Sequence, residues 1–287
     1  MPAAQDSPPN PRELHFASKD GSKLFGTLYE ASAPKANAVV LHGYADHGGR
    51  YAEVAETLQA QGFSVLCPDL RGHGRSGGDR GYVGSFEDYL EDVEAALLVL
   101  AAECGERPVL FVGHSNGGLV ALRLLADPFR CPKIIKAAVI SSPFLELKKK
   151  APVQILFAKA ASKILPKLAL PNKIKSEELT HDEEKIREHK KDTLVHDVAS
   201  ARWFTEAVAT QKWVAEFAHR LAVPSIWLVA GSDSLANPEQ TRKVQATVTA
   251  ESSYHEFPEM RHEVFNEVDR SKVFALLVEF CSASFHE

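Results

Sequence analysis

Residues 108–125 read PVLFVGHSNGGLVALRLL, an apolar strand-like run, a G-x-S-x-G turn and an apolar helical run with nothing between them. No other stretch limits the fold as much. A strand that enters a helix through so tight a turn belongs to a sheet with helices packed on its faces. The turn lifts its central residue, Ser115, above the sheet edge, and Gly113 and Gly117 let strand and helix approach closely. A second G-x-S-x-G lies in RGHGRSGG at 71–78, where Gly74, Ser76 and Gly78 occupy the motif positions. The same stretch holds G-x-G-x-x-G at Gly72, Gly74 and Gly77, the dinucleotide-binding pattern. Neither has its context, since loop separates Ser76 from the strand at 63–68 and the next helical pattern begins only near 86. Ser115 is therefore the candidate nucleophile.

Around that elbow, short β-rich runs alternate with helical patterns. Strands are expected at 13–18, 23–30, 36–42, 63–68, 108–113, 134–141, 225–231 and 253–258. Several interior runs are apolar throughout, as in a sheet covered on both faces. Helical periodicity marks 86–101, with Ser85 and Asp88 as a capping box, and a last helix over roughly 264–280. The reading is an α/β doubly wound, mostly parallel eight-stranded sheet after a hairpin-like start. The alternation stops over 143–202, which carries no strand signal: one helix ends at Pro166, and Thr180 with Glu183 opens another. An insertion of that length after strand six is a cap, not a loop. The expected organisation is a lead-in at 1–11, a core of 12–142 and 203–287, and a helical cap of 143–202.

A serine hydroxyl needs a base to take its proton and an acid to orient that base. The strand at 225–231 runs into Ser232-Asp233, and the strand at 253–258 runs into EMRH, ending on His262. Ser115, Asp233 and His262 thus stand in the chain order of a sheet-borne serine triad, each at a strand's carboxyl end. His114 is expected to face away from the turn's tip, as structural support. His255 lies inside a strand pattern and should point into the packing. HEVFN at 262–266 lacks the second histidine of a zinc motif, so no metal is expected. The tetrahedral oxyanion requires two donors, for which the N–H groups of Asn116 and Tyr44 are the candidates. The Tyr44 side chain either walls the pocket or covers the core, and the sequence leaves both open.

These stretches resemble the monoacylglycerol lipase and lysophospholipase branch of the α/β hydrolases. The resemblance rests on LHGYADHGGRY, PDLRGHGRSGG, VGHSNGG, DTLVHDVASARWF, AGSDSLANP and EMRHEVFNE, and runs from about 36 to 270. It implies the α/β-hydrolase fold and cofactor-free cleavage of a small-molecule ester of one fatty acyl chain through an acyl-serine. It also implies Ser115, Asp233 and His262 as triad and Tyr44 and Asn116 as oxyanion donors, with RGHG as a turn beside the site. Relatives often carry an apolar residue where Asn116 stands, so a more polar pocket is expected. The cap matches only loosely. The rival readings are a peptidase, thioesterase or acyl transfer on the same triad, and a silent binding protein.

Composition narrows the partners. A formal charge of −5 argues against nucleic acid. Cys67, Cys104, Cys131 and Cys281 have no C-x-x-C spacing and read as free thiols of a reducing compartment. MPAAQDSPPNP has neither a basic nor an apolar leader region, and the longest apolar run, 95–102, cannot span a bilayer, so a cytoplasmic protein is expected. Residues 148–175 hold eight lysines and no acidic residue. There Val153, Leu156, Phe157, Ala160, Ile164 and Leu168 share one helical face. That face is expected to seal the active-site cleft, with transient docking on an anionic membrane as the alternative.

Overall fold

Strands Ala36–Leu41, Phe63–Asp69 and Val109–His114 are buried at every position, which requires cover on both sheet faces. A computed structural model describes residues 9–148 and 152–285 and shows that sheet. Most of the expected lead-in over 1–11 lies outside the described residues, as do the side chains of Val153 and Leu156.

In chain order the strands are β1 (Arg12–Ala17), β2 (Lys23–Tyr29), β3 (Ala36–Leu41), β4 (Phe63–Asp69), β5 (Val109–His114), β6 (Ile135–Ser141), β7 (Ala169–Pro171), β8 (Val198–Ser200), β9 (Ser225–Ala230) and β10 (Ser252–Phe257). The helices are α1 (Ala52–Ala60), α2 (Glu87–Cys104), α3 (Asn116–Leu125), α4 (Pro152–Ile164), α5 (Glu183–Lys191), α6 (Ala201–Phe217), α7 (Pro238–Gln245) and α8 (Ser271–Ser284). Eight strands form one sheet in the order β1-β2-β4-β3-β5-β6-β9-β10. Only β2 runs against its neighbours. The pleat sends alternate residues to opposite faces. Phe111, Ala138 and Ile140 therefore join α2, α3 and α6 in one core, while Leu110, Val112 and Val139 join α1 and α8 in the other. This is the α/β-hydrolase architecture, with the carboxyl ends of β5, β9 and β10 along one edge.

The structure departs from the sequence reading in places. Residues 143–202 do hold strands: β7 and β8 pair antiparallel over three residues each, too short to leave a period in the sequence. Helix α5 is capped by Asp182, whose carboxylate accepts the N–H groups of Glu184 and Lys185. The expected cap, Thr180, instead donates its hydroxyl to the Asn266 carbonyl at 2.8 Å. The last helix begins at Ser271, not near 264. Before it Val264–Asn266 forms only a single 3-10 turn, and the Glu267 carboxylate accepts the N–H groups of Arg261, Val268 and His181, which ties the chain there into a non-α-helical path. At α2 the Asp88 carboxylate accepts the Ser85 N–H at 3.1 Å and the Ser85 hydroxyl accepts the Glu87 N–H at 3.3 Å.

Helix α4 splits the described part of the face expected to seal the cleft. Among its described side chains the small Ala158 and Ser162 are the buried ones, with Ser162 Oγ accepting from Thr205 Oγ1 of α6 at 3.0 Å. Small residues four apart allow a close approach that bulky ones would prevent. The apolar residues are consequently split, with Phe157 and Leu168 lining a cavity and Ala160 and Ile164 exposed.

Candidate active site

Ser115 directly follows β5 with φ 51° and ψ −113°, a backbone state that costs a non-glycine residue about 1–3 kcal/mol. The neighbouring glycines make it attainable. A Cβ on Gly117 would lie 2.5 Å from the Leu41 carbonyl oxygen, and one on Gly113 would lie 2.5 Å from the Gly117 oxygen. Ser76, by contrast, is locked into the frame. Its hydroxyl donates to the Asp69 carbonyl at 2.6 Å and accepts the Phe25 N–H at 2.9 Å.

The loops after β5, β9 and β10 bring the three candidate side chains together. His262 Nε2 lies 2.8 Å from Ser115 Oγ, and His262 Nδ1 lies 2.6 Å from Asp233 Oδ2. Asp233 Oδ1 accepts the N–H groups of Leu235 and Ala236 at 2.8 and 3.0 Å, which fixes the carboxylate's orientation. Ser115, Asp233 and His262 are 7%, 4% and 5% exposed. With the Nδ1 proton given to Asp233, Nε2 is left as the acceptor facing the serine. Burial pushes His262 towards the neutral form, but the Asp233 charge and hydrogen bond, aided by Glu263 and Asp46, outweigh it and raise its pKa above the ordinary value.

His114 is closer to this group than expected. Its ring centroid is 4.8 Å from that of His262, and its Nδ1 meets Ser141 Oγ at 3.0 Å. Burial and the neighbouring His262 lower its pKa to about 3, so it stays neutral beneath His262. His255 is half-buried on the edge strand β10 and not packed into the interior. Among the described residues no hydrogen bond takes up the backbone N–H of Tyr44 or Asn116. The Asn116 amide does not make the cavity more polar, because both its polar atoms are buried and have no partner among the described residues.

A cavity of about 970 Å³ opens over Ser115 and His262, near the upper end of the roughly 300–1,000 Å³ usual for small-molecule sites. Phe144, Leu147, Phe157, Leu168, Leu170 and Phe204 line it with apolar surface. A charged group that the sequence reading missed lines it too. Arg50 gives a forked pair of hydrogen bonds to Glu263 at 2.8 and 2.7 Å and a third to Asp46 at 3.1 Å. Burial pushes the Glu263 pKa up, but the Arg50 charge outweighs it and holds the carboxyl below its ordinary value. Beside them His47 Nε2 meets the Asp192 carboxylate at 2.7 Å. The only sequence signal was charge inside ADHGGRY and directly after His262. Tyr44 fills both roles left open for it, lining the cavity and packing against the core.

Residues 32–269 match the family described as serine aminopeptidase, S33. The phospholipase YtpA of Bacillus subtilis is 30% identical over 86% of this chain and 95% of that protein. A monoacylglycerol lipase of Mycolicibacterium smegmatis is 29% identical over 91% of this chain and 93% of its own. Among solved structures, the monoacylglycerol lipase of Paleococcus ferrophilus superposes with a TM-score of 0.81 at 26% identity, covering 96% of this chain and 100% of that one. A soluble variant of the Saccharomyces cerevisiae monoglyceride lipase, bound to a substrate analog, shares the fold with a TM-score of 0.86 at 18% identity, over 99% of this chain and 98% of that one.

Proposed function

The chain belongs to the serine aminopeptidase S33 family, and from that membership we propose that it hydrolyses the carboxylic ester of a single-chain acyl lipid through an acyl-serine. The observation that carries the reading is the unbroken hydrogen-bond chain from Ser115 through His262 to Asp233 beneath a mainly apolar cavity. Ser115 Oγ attacks the ester carbonyl carbon while His262 Nε2 takes its proton. The N–H groups of Tyr44 and Asn116 receive the oxyanion. Collapse breaks the C–O bond, and His262 returns the proton to the departing alcohol. Water, deprotonated by His262, then attacks the acyl-serine and releases the fatty acid. Residues 143–202 act as the cap that roofs the acyl-binding cavity.

The polar lining points to an uncharged head group. It carries the carboxylates of Asp46, Glu178, Asp192, Asp197 and Glu263 against the cations of Arg50, Lys173 and Lys190. Arg50 is committed to Glu263 and Lys190 to Glu177. A phosphate would meet an excess of negative charge, whereas glycerol hydroxyls would find carboxylate acceptors. Turnover of a monoacylglycerol should exceed that of the lysophosphatidic acid with the same acyl chain by about tenfold or more. That follows because each 1.4 kcal/mol of discrimination is a factor of ten. Equal rates, or faster turnover of the matching acyl amide or thioester, would remove this assignment.

No helix among the described residues is long and apolar enough to cross a membrane. The cap instead supports surface docking. Ile164 and Leu165 are 78% and 58% exposed, and exposed Phe157 and Leu170 also line the cavity. Lys159 and Lys163 are exposed on the same helix. Such a surface would set the cavity mouth on an anionic bilayer. Vesicles rich in phosphatidylglycerol should bind the enzyme, less so as salt rises. The double variant Ile164→Glu, Leu165→Glu should weaken that binding about tenfold or more, since burying each such side chain is worth about 1.5–3 kcal/mol. Binding that ignores salt, or that survives the double variant, would count against docking.

A further inference from the structure

We propose that Tyr44 is a positioning residue whose side-chain hydroxyl fastens the oxyanion loop to the cap and so sets the backbone N–H at its own position. The inference deepens the ester-hydrolase reading and rests on it. Tyr44 lies just beyond β3. Its ring stacks on Trp203, at the start of α6, with centroids 3.4 Å apart and planes at 24°. Its hydroxyl lies 2.9 Å from the Val198 carbonyl on β8 and 3.0 Å from the Gly81 carbonyl. One proton is shared between these two acceptors, so the hydroxyl joins three chain segments at one point. Around it the joint is further held by Ser200 N–H donating to Gly81 O at 3.0 Å, by His196 N–H donating to Ala45 O at 3.1 Å and by the His47–Asp192 contact.

Two features indicate that this geometry is enforced. Gly81 has φ +68°, and a Cβ there would lie 2.6 Å from the Tyr44 hydroxyl and 2.5 Å from the Val198 oxygen. Only glycine leaves the hydroxyl its place. Ala45, directly after Tyr44, also sits at positive φ, 66°. A non-glycine residue holds that state only where its surroundings over-determine it. The surroundings here are the anchored Tyr44 side chain on one side and the His196–Ala45 bond on the other. Removing a whole oxyanion donor costs roughly 10²–10³ in kcat, and a 1 Å misplacement costs a comparable factor. Loosening the loop that carries one donor should cost less.

Tyr44→Phe keeps the ring on Trp203 and deletes only the hydroxyl. With p-nitrophenyl butyrate, kcat should fall about tenfold while KM stays within about twofold, a smaller loss than that of a whole donor. The rate of fluorophosphonate labelling should fall in parallel, since phosphonylation uses the same oxyanion site. Gly81→Ala, which pushes on the hydroxyl from outside the site, should give the same split, with Tm recorded for both variants to establish that they are folded. An unchanged kcat in folded Tyr44→Phe, or a rise in KM alone, overturns the inference. Turnover that persists in Ser115→Ala would instead overturn the underlying triad reading, so the two failures are separable.

Discussion

Ser115→Ala should abolish fluorophosphonate labelling and lower kcat for ester hydrolysis by about 10⁴-fold or more, while Ser76→Ala still labels. The magnitude follows serine hydrolases in which removing the nucleophile leaves only the catalysis supplied by the oxyanion donors and by binding. The contrast between the serines follows from their surroundings. Ser115 Oγ faces His262 Nε2 at 2.8 Å on the cavity floor. Ser76 has its proton committed to the Asp69 carbonyl and its lone pair to the Phe25 N–H, with 3% of its surface exposed. The expected cost of Ser76→Ala is therefore stability. Leaving the buried Phe25 N–H without an acceptor is worth about 1–3 kcal/mol. Mass spectrometry of the labelled peptide decides the matter, and a label on 71–78 instead of 113–117 would overturn the assignment.

The second large effect is expected at Asp233. Asp233→Asn should lower kcat by about 10⁴-fold, the size of the corresponding loss in the serine-protease triad. The reason lies in the donors around the carboxylate. Its Oδ1 accepts two backbone N–H groups, from Leu235 and Ala236. An asparagine must turn its oxygen towards those donors, which turns its NH₂ towards His262 Nδ1. That nitrogen then has to accept, so the imidazole proton moves to Nε2 and the base facing Ser115 is lost. The pH profile should shift as well. Wild-type kcat/KM needs neutral His262, whose pKa is raised, so activity falls as pH drops through a value above that of an ordinary histidine. Asparagine removes the negative charge that raises it, and the acid limb of the residual activity should move to lower pH. A variant that keeps both wild-type kcat and the wild-type limb would show that Asp233 is not the orienting acid.

How far the sequence reached depended on how local the signal was. The eight sheet strands were legible to within a residue or two, because each is a short apolar run bounded by turns. Helix α8 was begun too early, since nothing within HEVFNE says that Glu267 will cap three backbone N–H groups. The face of α4 was read only in part: Phe157 and Leu168 line the cavity as expected, while the small Ala158 and Ser162 are buried and Ile164 is left exposed, because size as well as hydrophobicity decided which residues fit.

What the chain determined by itself was whatever one segment carries with its own periodicity. That comprises the parallel sheet, the strained turn at Ser115, and the order in which Asp233 and His262 follow at strand ends. Tertiary structure alone decided the partnerships between distant segments, such as Arg50 with Glu263 at a separation of 213 residues and Tyr44 with Val198 at 154. A hydrogen bond fixes two atoms within about 3 Å, and no pattern along a chain specifies which remote group will fill that place until packing has set the backbone. The strained turn was therefore readable, and the shape and charge of the space around it were not.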